Sequence, residues 1–108
     1  YYIYFEMARS ALLRDAGLPY SELERRGVML PVTESHCRYR RPARFDDALT
    51  VETRLALERS RIRIACRVLR GDDLLAEGYT LHACMTTEGR IVRPPDALKT
   101  IAEEVDDD

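Results

Sequence analysis

The first part of the chain, residues 1–17, places the strongest constraint on how this sequence can fold. It reads YYIYFEMARSALLRDAG, and its spacing at 100° per residue predicts one amphipathic helix of about four to five turns. Gly17 and Pro19 are typical of a helix end and of the turn after it. So much apolar surface on one helix requires the rest of the chain to cover it. The predicted apolar arc consists of Tyr1, Tyr4, Phe5, Met7, Ala8, Ala11, Leu12 and Ala16.

The sequence after this helix alternates between extended segments and turns. Alternating apolar and polar residues predict strands, and Gly, Pro and Asp clusters predict the turns between them. Pro31 indicates a bulge or an edge strand, and Gly78 indicates a bulge or the close approach of another backbone, such as the helix. The predicted elements are a helical turn at 21–26, strands at 28–40, 48–58, 62–70 and 74–87, and a C-terminal helix at 97–105.

This order of elements predicts an α+β fold in a single domain, residues 1–108. One face of an antiparallel sheet needs apolar cover, and the long helix can supply it. We therefore expect four strands in a meander-like succession that curls around the helix.

Composition excludes several functional classes. The net charge of −2 gives no broad positive field for nucleic acid or an anionic membrane. No apolar run approaches the ~18–20 residues of a membrane span, and no signal peptide is visible. Only Lys99 is a lysine among the 17 basic residues, which indicates either a coding bias or a preference for fork-shaped phosphate binders.

The cysteines and histidines favour structural roles. Cys37, Cys66 and Cys84 are odd in number and lack C-x-x-C spacing, which predicts reduced thiols in a cytoplasmic protein and no metal site. His36 and His82 lie in predicted strands without the spacing of a catalytic triad. The neighbouring acids Asp46–Asp47 are interpreted as turn residues rather than as a catalytic pair.

Several segments together resemble a known enzyme family. The run YFEMARSALLRDAGL is similar to the Y-F-E-x-A-R helix of hotdog-fold acyl-CoA thioesterases, in particular the 4-hydroxybenzoyl-CoA thioesterase group. The resemblance continues in the same order over nearly the whole chain. The further matching segments are residues 18–20, 24–28, 39–47, 49–54 and 74–78.

This resemblance implies a hotdog fold, in which a five-stranded antiparallel sheet wraps around the long helix. It also implies homodimers that join edge to edge, often paired into homotetramers, with active sites between subunits. In the family, a first strand and a loop with the catalytic aspartate, D-x-D-x-x-G-x-V-Y-H-x-N, precede the position of Tyr1. We therefore expect an N-terminally truncated hotdog domain and assign no catalytic residue within this sequence.

The expected activity is hydrolysis of an acyl-CoA thioester, with no cofactor and no metal. Free N–H groups at the helix N-terminus can stabilise an oxyanion, and we predict that Tyr1 and Tyr2 line the acyl pocket. Glu6 is either a general base or the surface partner of Arg9. The compact donor cluster Arg59–Ser60–Arg61 is either a site for the phosphates of CoA, as the resemblance implies, or a solvated turn.

Two other functions are compatible with parts of the pattern. The chain could be a hotdog module that binds acyl-CoA without hydrolysing it, or a non-catalytic regulatory module. A hotdog dehydratase would need a histidine-containing motif that the sequence does not show. An aspartate about a dozen residues before Tyr1 would favour the thioesterase.

Overall fold

The computed structural model describes residues 2–44 and 46–106, and the side chains of residues 5–44 and 46–101. Helix α1 spans Tyr2–Asp15, and the short helix α2 spans Tyr20–Arg25. Helix α3 spans Asp96–Asp106 near the end of the chain. The strands are β1 (Val28–Met29), β2 (Val32–Tyr39), β3 (Thr50–Glu58), β4 (Arg61–Arg70), β5 (Asp73–His82), β6 (Cys84–Thr86) and β7 (Ile91–Val92).

The strands form two antiparallel sheets in the described part of the chain. The larger sheet has the order β2-β5-β4-β3, and the smaller one has the order β1-β6-β7. The predicted α+β hotdog architecture is confirmed. The predicted meander is wrong for the first long strand, because β2 crosses over to pair with β5 rather than with β3. Hence β2 and β3 lie at opposite edges of the larger sheet.

Two strands that were predicted as continuous are interrupted. The segment 28–40 breaks at Leu30 and Pro31, where the Ala83 N–H donates to the Pro31 carbonyl at 3.1 Å. Ala83 also separates β5 from β6, so that the chain passes from the larger sheet to the smaller one. Pro31 precedes an edge strand whose register shifts between Val32 and Glu34, in agreement with the prediction of an edge or bulge.

Alternation in β3 and β4 gives the larger sheet two distinct faces. Leu55, Ile62 and Ile64 are buried on what we call the inner face, which contacts the helices. Arg63 and Arg67 alternate with these apolar residues and are exposed on the opposite, outer face. The predicted faces of both strands are confirmed.

Helix α1 packs on the inner face, but its buried side differs from the predicted arc. Phe5 and Leu13 are 3% and 0% exposed, whereas Met7, at one edge of the predicted arc, is 64% exposed. Ala16 is exposed as well. A periodicity of 100° gives a wide apolar arc but not the side of it that meets the sheet, which is set by the neighbouring elements.

Gly78 marks the point where the helix, β2 and β5 come together. A Cβ atom at this position would collide with the His36 carbonyl oxygen of β2 and would lie 2.9 Å from the Phe5 ring. The predicted close approach is confirmed, and it is made by the backbone of the neighbouring strand and by a side chain of the helix. There is no register shift at Gly78 itself.

Glycine ends α1 as predicted. Gly17 has a φ of 83°, and its N–H donates to the Arg14 carbonyl at 3.0 Å. The Leu18 N–H donates to the Leu13 carbonyl at 2.8 Å. This is the Schellman arrangement. At the other end of the chain, α3 buries Leu98 and Ile101 in the common core, as expected.

Among the helices that the structure describes, none has the length and apolarity needed to span a membrane.

Candidate functional site

A concentration of positive charge around a cavity lies at the turn between β3 and β4. Arg59 and Ser60 of this turn meet Arg93 and Lys99 around a cavity of about 310 Å³. Leu57 and Pro94 complete its wall. We call this set of six residues the basic pocket. Three cationic side chains and a hydroxyl group around a partly apolar wall are suited to binding an anion that also carries an apolar group.

Local geometry explains why residues distant in the sequence meet here. Glu58 and Arg61 pair across the hairpin, which leaves a two-residue turn in which Arg59 has a φ of 61°. Burial of Leu98 holds α3 against the core and so brings Lys99 beside the turn. Asp96 lies 4.0 Å from the Lys99 ammonium, but its side chain is fully exposed, so it screens that charge only weakly.

The predicted donor cluster is only partly assembled. Arg59 and Ser60 line the basic pocket, whereas Arg61 is the first residue of β4 and is not part of the lining. Since Ile62 points to the inner face, Arg61 belongs to the outer face. The sequence analysis did not assign Arg93 and Lys99 to this site. A signal for them is present in the sequence, since these two basic residues lie on either side of the Pro94–Pro95 pair that precedes α3.

The other predicted site residues lie at the start of α1. Tyr1 lies outside the described residues, and Tyr2 is described only as the first helical residue. Glu6 is exposed, and within the described part of the chain no ion pair joins it to Arg9. The Arg9 guanidinium instead lies close to the Tyr20 side chain, and its Nε is buried without a hydrogen-bond partner in the described residues. The expected pairing of Glu6 with Arg9 is therefore wrong.

An apolar groove runs between α1 and the edge strand β3. Its volume is about 400 Å³. The groove is open because α1 directs Leu13, rather than Met7, into the core. The groove is lined by Met7, Ala8, Ala11, Leu12, Asp15, Val51 and Thr53.

A buried histidine lies at the end of β5. His82 is 1% exposed; its Nδ1 lies 2.9 Å from the Leu30 carbonyl oxygen, and its Nε2 lies 2.9 Å from the Thr80 hydroxyl. Because a carbonyl can only accept, Nδ1 carries the proton and Nε2 accepts from Thr80. Burial lowers the pKa of His82. With both nitrogens occupied, His82 is a structural residue, as predicted.

Comparison with known proteins places this fold in a family. Residues 1–102 match the family model described as the thioesterase-like superfamily. The chain belongs to this superfamily. A protein of Aquifex aeolicus (strain VF5) named "Putative esterase" is 33% identical over 105 residues, which cover 96% of this chain and 81% of that protein.

Solved structures agree with this family. A crystal structure of a Thermus thermophilus protein is 42% identical with a TM-score of 0.83, over 95% of this chain and 81% of that one. A structure titled "Probable Thioesterase" from Bartonella henselae is 29% identical with a TM-score of 0.78, over 88% of this chain and 81% of that one.

In this thioesterase-like protein the cysteines are not arranged as nucleophiles. Burial raises the pKa of both Cys66 and Cys84 to about 11, so both thiols are protonated at neutral pH. Cys37 is half-buried, and all three cysteines are free. The described residues contain no group of three or more His, Cys, Asp or Glu side chains that could hold a metal ion.

The Asp46–Asp47 segment of this thioesterase-like protein is a structural turn. The Asp47 carboxylate accepts from the Arg44 N–H at 2.6 Å and from Arg70 at 2.8 Å. The hydrogen bond from the Arg44 backbone, followed by that from Arg70, lowers the pKa of Asp47. A carboxylate held in its charged form by these partners fixes the loop before β3, as predicted from the sequence.

Proposed function

We propose that this protein hydrolyses an acyl-CoA thioester to a free acid and CoA, and that the basic pocket binds the phosphates of CoA. The observation that carries this proposal is the basic pocket itself, in a chain of the thioesterase-like superfamily. Arg59 and Arg93 can each hold a phosphate with paired N–H groups, and Lys99 adds a compact charge. Leu57 and Pro94 offer an apolar surface for the nucleotide base.

The apolar groove supports a placement for the acyl group. Val51 and Thr53 of the groove and Leu57 of the basic pocket lie on the same strand. From Thr53 to Arg59 the strand advances six residues, or about 20 Å. An acyl-CoA has the same layout, because its extended pantetheine arm separates the phosphates from the thioester. The small side chains Ala8 and Ala11 leave room for an acyl chain or ring.

The chemistry that we propose is attack of water on the thioester carbonyl. The tetrahedral intermediate carries a negative oxygen, and the free N–H groups at the start of α1 are suited to stabilising it, at about 2.7–4 kcal/mol per donor. Collapse of the intermediate breaks the C–S bond, and the CoA thiolate takes up a proton. Tyr1 and Tyr2 would line the acyl pocket, and Glu6 is the candidate general base within the helix. Following the resemblance to 4-hydroxybenzoyl-CoA thioesterases, we assign the catalytic aspartate to no residue of this sequence.

Two further features concern the whole protein. We propose that the protein acts as a homodimer or homotetramer with active sites between subunits, because β2 and β3 are open edges of the larger sheet among the described residues. We also propose that it works in the cytoplasm, where its free cysteines would stay reduced.

The experiment is thiol release from a panel of aliphatic and aromatic acyl-CoA substrates, measured with the full-length native protein. Arg59→Ala and Arg93→Ala should each raise KM by about 5-fold or more, corresponding to about 1 kcal/mol for a partly exposed charged contact. The value of kcat should stay within about 2-fold, because the phosphates lie far from the reacting carbonyl. Arg61→Ala is the matched control, since Arg61 does not line the basic pocket, and its KM should equal that of the wild type.

Each result has a definite meaning. Tight binding of acyl-CoA without thiol release would replace the proposed hydrolase by a binding module. Turnover with an unchanged KM in both the Arg59 and Arg93 variants would refute the phosphate site while leaving hydrolysis in place.

A further inference from the structure

The stripe of α1 that lines the apolar groove ends at a carboxylate. The stripe runs from Met7 to Asp15, the last residue of the helix, and so rises about 12 Å along the helix axis. At bond lengths of about 1.5 Å, an extended acyl chain of about eight to ten carbons spans this distance. Because the proposed oxyanion site is at the start of α1, the far end of such a chain lies beside Asp15.

Asp15 is the one charged side chain among the described residues that line the groove. Glu52 and Arg54 of β3 alternate with the two lining residues of that strand and belong to the outer face. Arg14, the basic residue in the last turn of α1, is exposed and does not line the groove. No lining cation therefore offsets the charge of Asp15.

The Asp15 carboxylate has a free surface to offer a ligand. Within the described part of the chain, no hydrogen bond or ion pair holds its side chain. Its position at the end of α1 adds to its effect, because the C-terminal end of a helix carries partial negative charge. Its side chain is exposed, so water and salt reduce its field without removing it. This end of the groove is therefore electronegative.

We infer that Asp15 selects among acyl groups by the charge at their far end. A terminal ammonium group is favoured because it pairs with the carboxylate, and a terminal carboxylate is disfavoured because like charges then face each other. Asp15 is a specificity-determining residue in this role and takes no part in the attack on the thioester. The inference rests on the proposed placement of the acyl group in the apolar groove.

The test compares three substrates of equal chain length with the full-length native protein. They are octanoyl-CoA, ω-aminooctanoyl-CoA and ω-carboxyheptanoyl-CoA, the monothioester of octanedioic acid. All three carry the same CoA, so the contribution of the basic pocket cancels when they are compared. The readout is the ratio of kcat/KM for the amino substrate to kcat/KM for the carboxy substrate, and octanoyl-CoA gives the uncharged reference.

Removal of the carboxylate should change this ratio. Asp15→Asn should lower it by about 3-fold or more, the size expected for one exposed charge pair. Asp15→Lys should lower it further and so favour the carboxy substrate. Both differences should shrink with added NaCl, because screening weakens a charge effect but not a steric one. The matched control is Asp72→Asn, which removes an exposed carboxylate that does not line the groove and should keep the wild-type ratio.

A binding measurement makes the result independent of turnover. The affinities of the three thioether analogues, in which a methylene group replaces the thioester carbonyl, are measured by isothermal titration calorimetry and should follow the same ratio. Absence of thiol release from all three substrates would refute the proposed hydrolase, while the affinities still decide the role of Asp15. Equal affinity ratios in the wild type and Asp15→Asn, an equal shift in Asp72→Asn, or no binding of any analogue would overturn the inference.

Discussion

At the scale of single residues, His82 shows how burial decides the role of a titratable group. Burial is the main cause of its lowered pKa; the hydrogen bond with the Leu30 carbonyl opposes this effect, and the nearby Arg9 charge adds to it. Thr80, which donates to the other ring nitrogen, is itself 5% exposed. The histidine therefore stays neutral and ties β5 to the segment before β2.

The lowered pKa of His82 predicts a loss of stability in mild acid. The unfolded chain binds a proton at about the ordinary pKa of 6.5, while the folded chain does so only at lower pH. Between these two values the unfolded state binds more protons, so the free energy of unfolding falls as the pH falls. The contribution of this residue is at most about 1.4 kcal/mol per pH unit.

Urea unfolding between about pH 7.5 and about pH 5.5 measures this slope. His82→Gln should be less stable at neutral pH but should show a shallower dependence on pH. As a second measurement, the imidazole resonances of His82 in the folded wild-type protein should not move as the pH is lowered through the ordinary value. Equal slopes in both proteins, or an ordinary titration of His82, would contradict the assignment.

At the scale of elements, helix α1 shows the difference between an apolar pattern and an apolar contact. Its burial is concentrated on Phe5 and Leu13, which belong to the core cluster. Met7 is mostly exposed at the apolar groove. Phe5 packs close to Gly78, where a larger residue would leave no room for its ring.

A pair of truncations should separate these two sides of α1. Leu13→Ala should lower the free energy of unfolding by about 2–4 kcal/mol, because it leaves a cavity in the core. Met7→Ala, the matched truncation at an exposed position, should change it by less than about 0.5 kcal/mol. Chemical denaturation measures both values. A larger cost for Met7→Ala would mean that another surface covers the groove in solution.

At the scale of the whole molecule, a small net charge conceals a strong separation of charges. The net charge is −2, yet the described residues place Arg59, Arg93 and Lys99 around one cavity. Carboxylates and guanidinium groups meanwhile alternate on the outer face, as in the pair Arg67–Glu52. Composition alone therefore hides the cluster of positive charges that we propose as an anion site, and only the assembled chain displays it.

This separation predicts that substrate binding depends on salt. Raising NaCl from about 0.05 M to about 0.5 M should increase the KM for acyl-CoA several-fold, because the phosphate contacts are screened. The increase should be smaller in the Arg59→Ala, Arg93→Ala double variant, which has fewer charges left to screen. Steady-state kinetics measures this, with the assembly mass determined at each salt concentration. Parallel salt curves for the two proteins would count against the basic pocket.

The sequence by itself determined the local structure of this protein. The helix end at the positive-φ residue Gly17 and the alternation of β3 and β4 depend on neighbours in the chain, so short-range rules predicted them. The α+β class followed from the order of the elements, and the resemblance pointed to the superfamily. Two of the six residues of the basic pocket, Arg59 and Ser60, were also visible in this way.

Only the tertiary structure decided which distant residues meet. The pairing of β2 with β5, the side of α1 that meets the sheet, and the position of Arg93 and Lys99 beside the β3–β4 turn all depend on contacts between segments far apart in the chain. Local periodicity has no information about such contacts, because their free energy comes from surfaces that are buried only when the segments pack together. The candidate site is made of these contacts, and for this reason the sequence analysis did not bring Arg93 and Lys99 together with Arg59 and Ser60.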